Sequence, residues 1–138
     1  MGAPRWVTRQ LAGPHGPLAR VFARLLNRAN AWDAARAVQV LHPGRDHTVV
    51  DLGFGGGVAL PALLSACPDG RVVGIEPAVA MRARALRRWA WPVAEGRLSI
   101  LDGAAERIPL PDGEVHGVLT LNTVYFWRDV SAGFAELH

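Results

Sequence analysis

Apolar residues recur at two spacings along this chain, and these spacings predict its helices and strands. From Leu18 to Leu41 they return every three or four positions, which is the period of an amphipathic helix. This stretch therefore predicts two helices, or one bent helix, ending before Pro43-Gly44. Downstream, short apolar runs rich in β-branched residues predict buried strands. The predicted strands are His47–Leu52, Arg71–Ile75, Leu98–Leu101 and Val115–Leu121.

The segments between these strands have the composition of helices and turns. Alanine and leucine predict a helix over Val58–Cys67, and Pro77 suits the first turn of another that runs to about Ala90. Pro92 and Gly96 are expected to break that second helix. The remaining predictions are a short helical turn over Ala104–Arg107, a surface turn over Pro109–Gly113 and a last helix from near Asp129.

Strands that alternate with helices in this order predict an α/β fold, a Rossmann-like doubly wound parallel sheet with right-handed crossovers. We expect the spatial strand order 3-2-1-4, with a ligand above the carboxyl ends of strands one and four, where the order reverses. The chain is expected to divide into an N-terminal helical cover, residues 1–45, and the sheet domain, residues 46–138. A length of 138 residues, half of them apolar, suits one compact unit.

Composition narrows the classes of function. Every basic residue is an arginine, and the arginines are scattered through the predicted helices, which favours a solvated surface over a nucleic-acid or lipid site. Cys67 is the only cysteine, so neither an internal disulfide nor a cysteine-based zinc cluster is expected, and the histidines lack metal-ligand spacing. Because the sequence shows no signal-peptide pattern and no long apolar run, we expect a soluble, cytoplasmic protein.

The first predicted strand leads into a glycine-rich loop, and an acidic residue closes the second strand. The loop is Gly53-Phe54-Gly55-Gly56-Gly57, and Glu76 follows it 19 residues later. Glycines at such a turn permit positive φ and leave room for a ligand against the backbone. An acid at the end of the second strand is placed to accept hydrogen bonds from both ribose hydroxyls. These features alone fit a dinucleotide or another adenosine-containing cofactor.

Two details around the loop favour S-adenosylmethionine. Asp51 lies two residues before the first glycine, where its negative charge opposes a pyrophosphate and favours an ammonium group. The third glycine of the dinucleotide fingerprint G-x-G-x-x-G is also missing, because Val58 occupies its position.

Longer stretches of the chain resemble the class I S-adenosylmethionine-dependent methyltransferases, in particular their type-11 small-molecule group. Val-Asp-Leu-Gly-Phe-Gly-Gly-Gly, residues 50–57, is similar to their first motif, an acidic residue followed by G-x-G-x-G. Gly-Ile-Glu-Pro, residues 74–77, with Met81 resembles their second motif, and residues 103–109 resemble their adenine-side segment. The resemblance implies methyl transfer to a small-molecule acceptor. It implies that the cofactor is bound by Asp51, Gly53, Phe54, Gly55, Gly57, Glu76, Pro77, Met81, Gly103, Ala104, Ala105 and Asn122.

The chain departs from this family in two respects. Ala104 replaces an aspartate that usually contacts the adenine, so backbone groups, packing or Asp102 are expected to hold that ring. The sequence also stops before the fifth strand that the family adds, which predicts an incomplete domain. Its fourth strand then has an open edge, and we expect a homodimer or aggregate through that edge unless the segment from Leu18 to Leu41 covers it.

Other residues allow more than one interpretation. Tyr125 is a candidate for orienting or deprotonating the acceptor, with ordinary packing as the alternative. Asn27 and Asn30 either reach the cofactor or cap a helix. Asn122-x-x-Tyr125 lacks the prolines of the N-P-P-Y motif, so no nucleic-acid substrate is predicted. At the level of the whole chain, the alternatives are an NAD- or FAD-type domain and a truncated remnant without catalysis.

Overall fold

The computed structural model describes residues 30–138, so the predictions for Leu18–Ala29, including Asn27, lie outside the described residues. A helix over residues 30–41, here α1, comes first. The strands are β1, Thr48–Leu52; β2, Arg71–Ile75; β3, Leu98–Leu101; and β4, Gly117–Leu119. The other helices are α2, Leu60–Ala66; α3, Val79–Arg88; α4, Ala90–Ala94; and α5, Val130–Glu136, with a 3-10 turn at Val124–Phe126.

The four strands form one parallel sheet in the order β3-β2-β1-β4, as predicted. Thr48 pairs with Arg71 and Leu52 with Ile75, so β1 and β2 match along their full lengths. The strand order reverses between β1 and β4, and the carboxyl ends of all four strands point the same way. This arrangement confirms the Rossmann-like architecture and the position of its switch point.

Alternating side chains build a core on each face of the sheet. Val49 and Val72 pack with residues of α1, α2 and α3 on one face, whereas Val50 and Val73 pack with Ala105 and Trp127 on the other. Because α1 contributes buried Ala34 and Val38 to the first core, the helix 30–41 packs directly on the sheet. The division of the chain at residue 45 stays a prediction.

The structure corrects three details of the predicted elements. β4 is limited to Gly117–Leu119 because the Thr120 hydroxyl donates to the carbonyl of Leu52, 3.0 Å away, where the ladder would continue. Residues 104–107 form no helical turn; Ala104 and Arg107 exchange two backbone hydrogen bonds as an antiparallel bridge. The chain also forms α4 where Pro92 is predicted to break a helix. Pro92 lies in the first turn of α4, where a backbone N–H would have no helical acceptor, so the missing N–H costs no helical hydrogen bond.

Two further predictions concern the whole chain. Within residues 30–138, no helix has the length and apolar character needed to cross a membrane. β4 is an edge strand of the sheet that residues 30–138 form, and a dimer through it stays a prediction.

Candidate cofactor site

A cavity of about 530 Å³ opens at the carboxyl ends of the strands. This volume lies within the range of small-molecule sites, and the location is the one that the strand order favours. The glycine loop, the ends of β2, β3 and β4, and the first turn of α1 form its wall. The lining residues are Asn30, Asp33, Asp51, Leu52, Gly53, Phe54, Gly55, Gly56, Val58, Ala59, Glu76, Pro77, Gly103, Ala104, Ala105, Glu106, Leu121, Asn122, Thr123, Phe126 and Trp127.

The glycine loop is fixed to the end of β2 by its backbone. The amides of Gly53 and Phe54 both donate to the carbonyl of Ile75, at 2.7 and 3.3 Å. Gly55 then has φ of +51°, in the left-handed region, and a Cβ added there would have no protein atom closer than 4.0 Å. The loop thus exposes bare backbone to the cavity at Gly55.

Glu76 follows β2 and is held by the loops on either side of it. Its Oε2 accepts from the Gly55 amide at 2.9 Å, and its Oε1 accepts from the Ala78 amide at 3.0 Å. Only 8% of the residue is exposed. Each carboxylate oxygen has a second lone pair, so Glu76 can also accept from two hydroxyl groups of a ligand.

Asp51 is the second buried acid of the cavity wall. It is 3% exposed, and its Oδ2 has no hydrogen-bond partner among the described residues. Burial, and to a lesser degree repulsion from Glu76, raise the pKa of Asp51 to about 7. A buried carboxylate with an unpaired oxygen favours a cationic donor in the cavity, and an ammonium group has the required charge and hydrogens.

The chain after β4 closes the cavity on the side opposite Glu76. The hydroxyls of Thr120 and Thr123 hydrogen-bond to each other, and that of Thr120 also holds the end of β1. Asn122 lies between them with φ of +56°, a conformation that asparagine tolerates better than most residues. The turn therefore presents Asn122 at the cavity wall.

The segment after β3 provides the remaining wall, and it is tied to α5. The Glu106 carboxylate accepts from the amides of Arg128 and Asp129, at 2.6 and 3.1 Å. These backbone hydrogen bonds, led by that from Asp129, lower the pKa of Glu106 below its usual range. Ala104 offers no polar side chain, so polar contacts from that position to a ligand must come from the backbone.

The cavity brings together most of the predicted cofactor residues. Gly57 and Met81 are the exceptions: Gly57 lies against the Trp89 ring, and Met81 is 38% exposed on α3. Tyr125 is 81% exposed and does not line the cavity, so its catalytic role stays a prediction that the geometry does not favour. Asn30 does line it.

Sequence reasoning missed several lining residues. Asp33 lies one turn after Asn30 on α1, so the helical period already indicated that they share a face. Phe126 and Trp127 follow Tyr125 directly, and only the 3-10 turn decides which of these aromatic side chains face the cavity. Within residues 30–138, no group of three histidine, cysteine, aspartate or glutamate side chains is placed to hold a metal ion.

Comparison with known proteins gives matches over most of the described chain. A family model described as "Methyltransferase domain" matches residues 49–138. A curated relative, the uncharacterized methyltransferase YdaC of Bacillus subtilis, is 27% identical over 94 residues, which are 68% of this chain and 50% of that protein. The chain therefore spans half the length of that relative.

Solved structures share the fold. A geranyl diphosphate methyltransferase in complex with S-adenosylmethionine superposes with a TM-score of 0.72 at 20% identity, over 94% of this chain and 52% of that one. A methyltransferase from Aquifex aeolicus, described as S-adenosylmethionine-dependent, superposes with a TM-score of 0.65 at 24% identity, over 75% of this chain and 55% of that one. At these sequence identities, the two structures show that the fold is shared and nothing more.

Proposed function

Because this chain belongs to the methyltransferase-domain family, we propose that it binds S-adenosylmethionine and transfers the methyl group to a small-molecule acceptor. One observation carries the proposal: two buried carboxylates, Asp51 and Glu76, line one cavity on either side of a glycine loop. Their separate surroundings suit the two polar ends of that cofactor.

Glu76 is proposed to bind the ribose. Its carboxylate is already oriented by the amides of Gly55 and Ala78, so accepting two hydroxyls costs little further ordering. Asp51 is proposed to bind the ammonium of the methionine moiety, which would give its buried Oδ2 a hydrogen-bond donor. Gly103, Ala104 and Ala105 would then lie along the adenine.

A dinucleotide fits this wall less well. Asp51 lies beside the loop that would have to receive the pyrophosphate, and its buried carboxylate would repel the phosphates. No arginine lines the cavity among the described residues, so a pyrophosphate there would depend on the backbone amides of the glycine loop alone.

Methyl transfer depends more on the alignment of the acceptor with the methyl group than on acid–base catalysis. When bound, the cofactor would supply a methyl group that is already activated by its positively charged sulfur, because that sulfur is a good leaving group as a neutral thioether. The chain's residues hold the two reactants in that line and exclude water. Asn122, on the turn after β4, is proposed to contact the cofactor, whereas Phe126 on the same turn and Asn30 and Asp33 on α1 are proposed to form the acceptor side.

The shape of the site favours a small acceptor. The cavity is concave and walled by apolar residues such as Phe54 and Leu121, whereas the exposed arginines of α3 lie outside the lining: Arg84, Arg87 and Arg88. A nucleic-acid substrate would be expected to place such arginines at the mouth of the site.

Binding of S-adenosylhomocysteine, the product form of the cofactor, tests this proposal against the dinucleotide alternative. We expect it to raise the melting temperature of the chain, whereas NAD at the same concentration leaves it unchanged, because only the former offers an ammonium to Asp51. Stabilisation by NAD alone would overturn the proposal.

A further inference from the structure

Beyond the groups that line the cavity, one arginine behind its wall makes contacts that its neighbours on α3 do not. Nη1 of Arg82 lies 2.7 Å from the carbonyl oxygen of Glu76, 2.7 Å from that of Pro77 and 2.9 Å from Oδ1 of Asp102, so its two hydrogens are shared among three acceptors. Its side chain is only 17% exposed. A single nitrogen thus joins the chain that leaves β2 to the chain that leaves β3.

These contacts complete the support of Glu76. The Glu76 amide donates to the carbonyl of Leu101 at 3.1 Å, and the Glu76 carbonyl accepts from Arg82. Its carboxylate is held separately by the Gly55 and Ala78 amides. Both backbone polar groups of Glu76 are therefore hydrogen-bonded: the amide to the Leu101 carbonyl and the carbonyl to Arg82, because no neighbouring strand donates to that carbonyl.

The link to Asp102 extends the same support to the next segment. Asp102 directly precedes Gly103 and Ala104, which line the cavity beyond Glu76. Because Asp102 is itself 73% exposed, its hydrogen bond to Arg82 alone would be worth little, but the two carbonyls held by the same nitrogen make Arg82 part of a network.

We infer that Arg82 is a positioning residue for the adenosine half of the cofactor, acting through Glu76 and the start of the Gly103 segment. The inference rests on the proposed function. Arg82 touches no ligand; it sets where the Glu76 carboxylate stands relative to the ribose.

A pair of ligands separates positioning from general stability. S-adenosylhomocysteine and its 2′-deoxyribose analogue differ by one hydroxyl that Glu76 is proposed to bind. For the wild-type chain, we expect calorimetry to show the analogue binding about tenfold more weakly, the scale of one hydrogen bond to a charged acceptor. Arg82→Met keeps the apolar stem and removes the donor, so this preference is expected to fall towards one.

Matched variants sharpen the result. Arg84→Met changes an exposed arginine of the same helix and is expected to keep the tenfold preference. Arg82→Lys is expected to restore part of it, because all three acceptors meet one nitrogen and an ammonium has three hydrogens. If Arg82→Met does not fold, Asp102→Ala replaces it, with a smaller fall of the preference expected.

The outcomes distinguish the two claims. Failure of the wild-type chain to bind S-adenosylhomocysteine would overturn the proposed function and the role of Arg82 with it. Binding with the tenfold preference kept in folded Arg82→Met, or kept in Asp102→Ala where it is the substitute, would leave the proposed function standing and overturn the inference.

Discussion

At the scale of single residues, the two buried acids illustrate how surroundings divide one chemical group into two roles. Glu76 accepts two backbone amides, so its charge is compensated before any ligand arrives. Asp51 has an unpaired buried oxygen and a pKa raised to about 7, chiefly by burial and then by repulsion from Glu76. The apo-protein therefore carries an unfavourable charge at Asp51 that a cationic ligand would relieve.

This difference predicts the effect of pH on stability. Between about pH 4 and 7, folded Asp51 holds a proton that the unfolded chain has lost, so its contribution to the free energy of unfolding falls as pH rises. Asp51→Asn removes that contribution. In urea denaturation, we expect the free energy of unfolding of the variant, relative to that of the wild type, to rise between pH 4 and pH 8, by roughly 4 kcal/mol at most.

Ligand binding should show the opposite trend. Because an ammonium needs the ionised carboxylate, wild-type affinity for S-adenosylhomocysteine is expected to rise from pH 6 to 8 and then level off. In Asp51→Asn, the same affinity should be weaker and lack this rise. Parallel binding profiles of the two proteins would show that Asp51 does not face the ligand, and parallel stability profiles would show that folding does not raise the pKa of Asp51.

At the scale of elements, the loop between β1 and α2 was the part that sequence predicted best. Glycines after a β-branched run specify a turn that only a few residue types can form, and the acid that follows β2 accepts from the Gly55 amide of that turn. Sequence could not show that Gly57 serves packing, with Trp89 lying where its Cβ would be. That contact depends on α3 and α4, far along the chain.

A matched pair of glycines tests the loop. Gly55 and Gly96 both have positive φ and open space where a Cβ would lie, but only Gly55 lines the cavity. Valine at either position should cost similar backbone strain, about 1 to 2 kcal/mol. Gly55→Val should also abolish binding of S-adenosylhomocysteine, whereas Gly96→Val should retain it, as measured by calorimetry and thermal unfolding.

Normal binding by folded Gly55→Val would show that the loop is structural only. Equal loss of binding in both variants would indicate that destabilisation, and not contact with the ligand, is responsible.

At the scale of the whole molecule, the order of strands could be predicted because the buried runs are short and helices separate β1, β2 and β3. The boundaries that failed depend on contacts across the sheet. β4 ends where the Thr120 hydroxyl, and not a backbone amide, donates to the Leu52 carbonyl. The 104–107 turn closes on itself, while the Glu106 carboxylate accepts from the backbone amides of Arg128 and Asp129 just before α5. Which aromatic side chain of residues 125–127 faces the cavity likewise follows from the 3-10 turn and not from composition.

The same limit applies to function. Both ends of the proposed cofactor are assigned to residues named from sequence, because a carboxylate after a strand and a glycine loop have fixed places in this fold. The acceptor side is built from α1 and the turn after β4, where the pattern is weak. The chain also spans only half the length of the relative it matches, and the acceptor therefore stays a proposal about a small molecule.

The most direct test of the account is a calorimetric titration of S-adenosylhomocysteine into the wild-type chain and Glu76→Ala. Glu76 connects the glycine loop, β2 and the proposed ribose, so its removal should weaken binding by about 1 to 3 kcal/mol while the chain remains folded. Unchanged affinity in the folded variant would contradict the assignment of this cavity as the cofactor site.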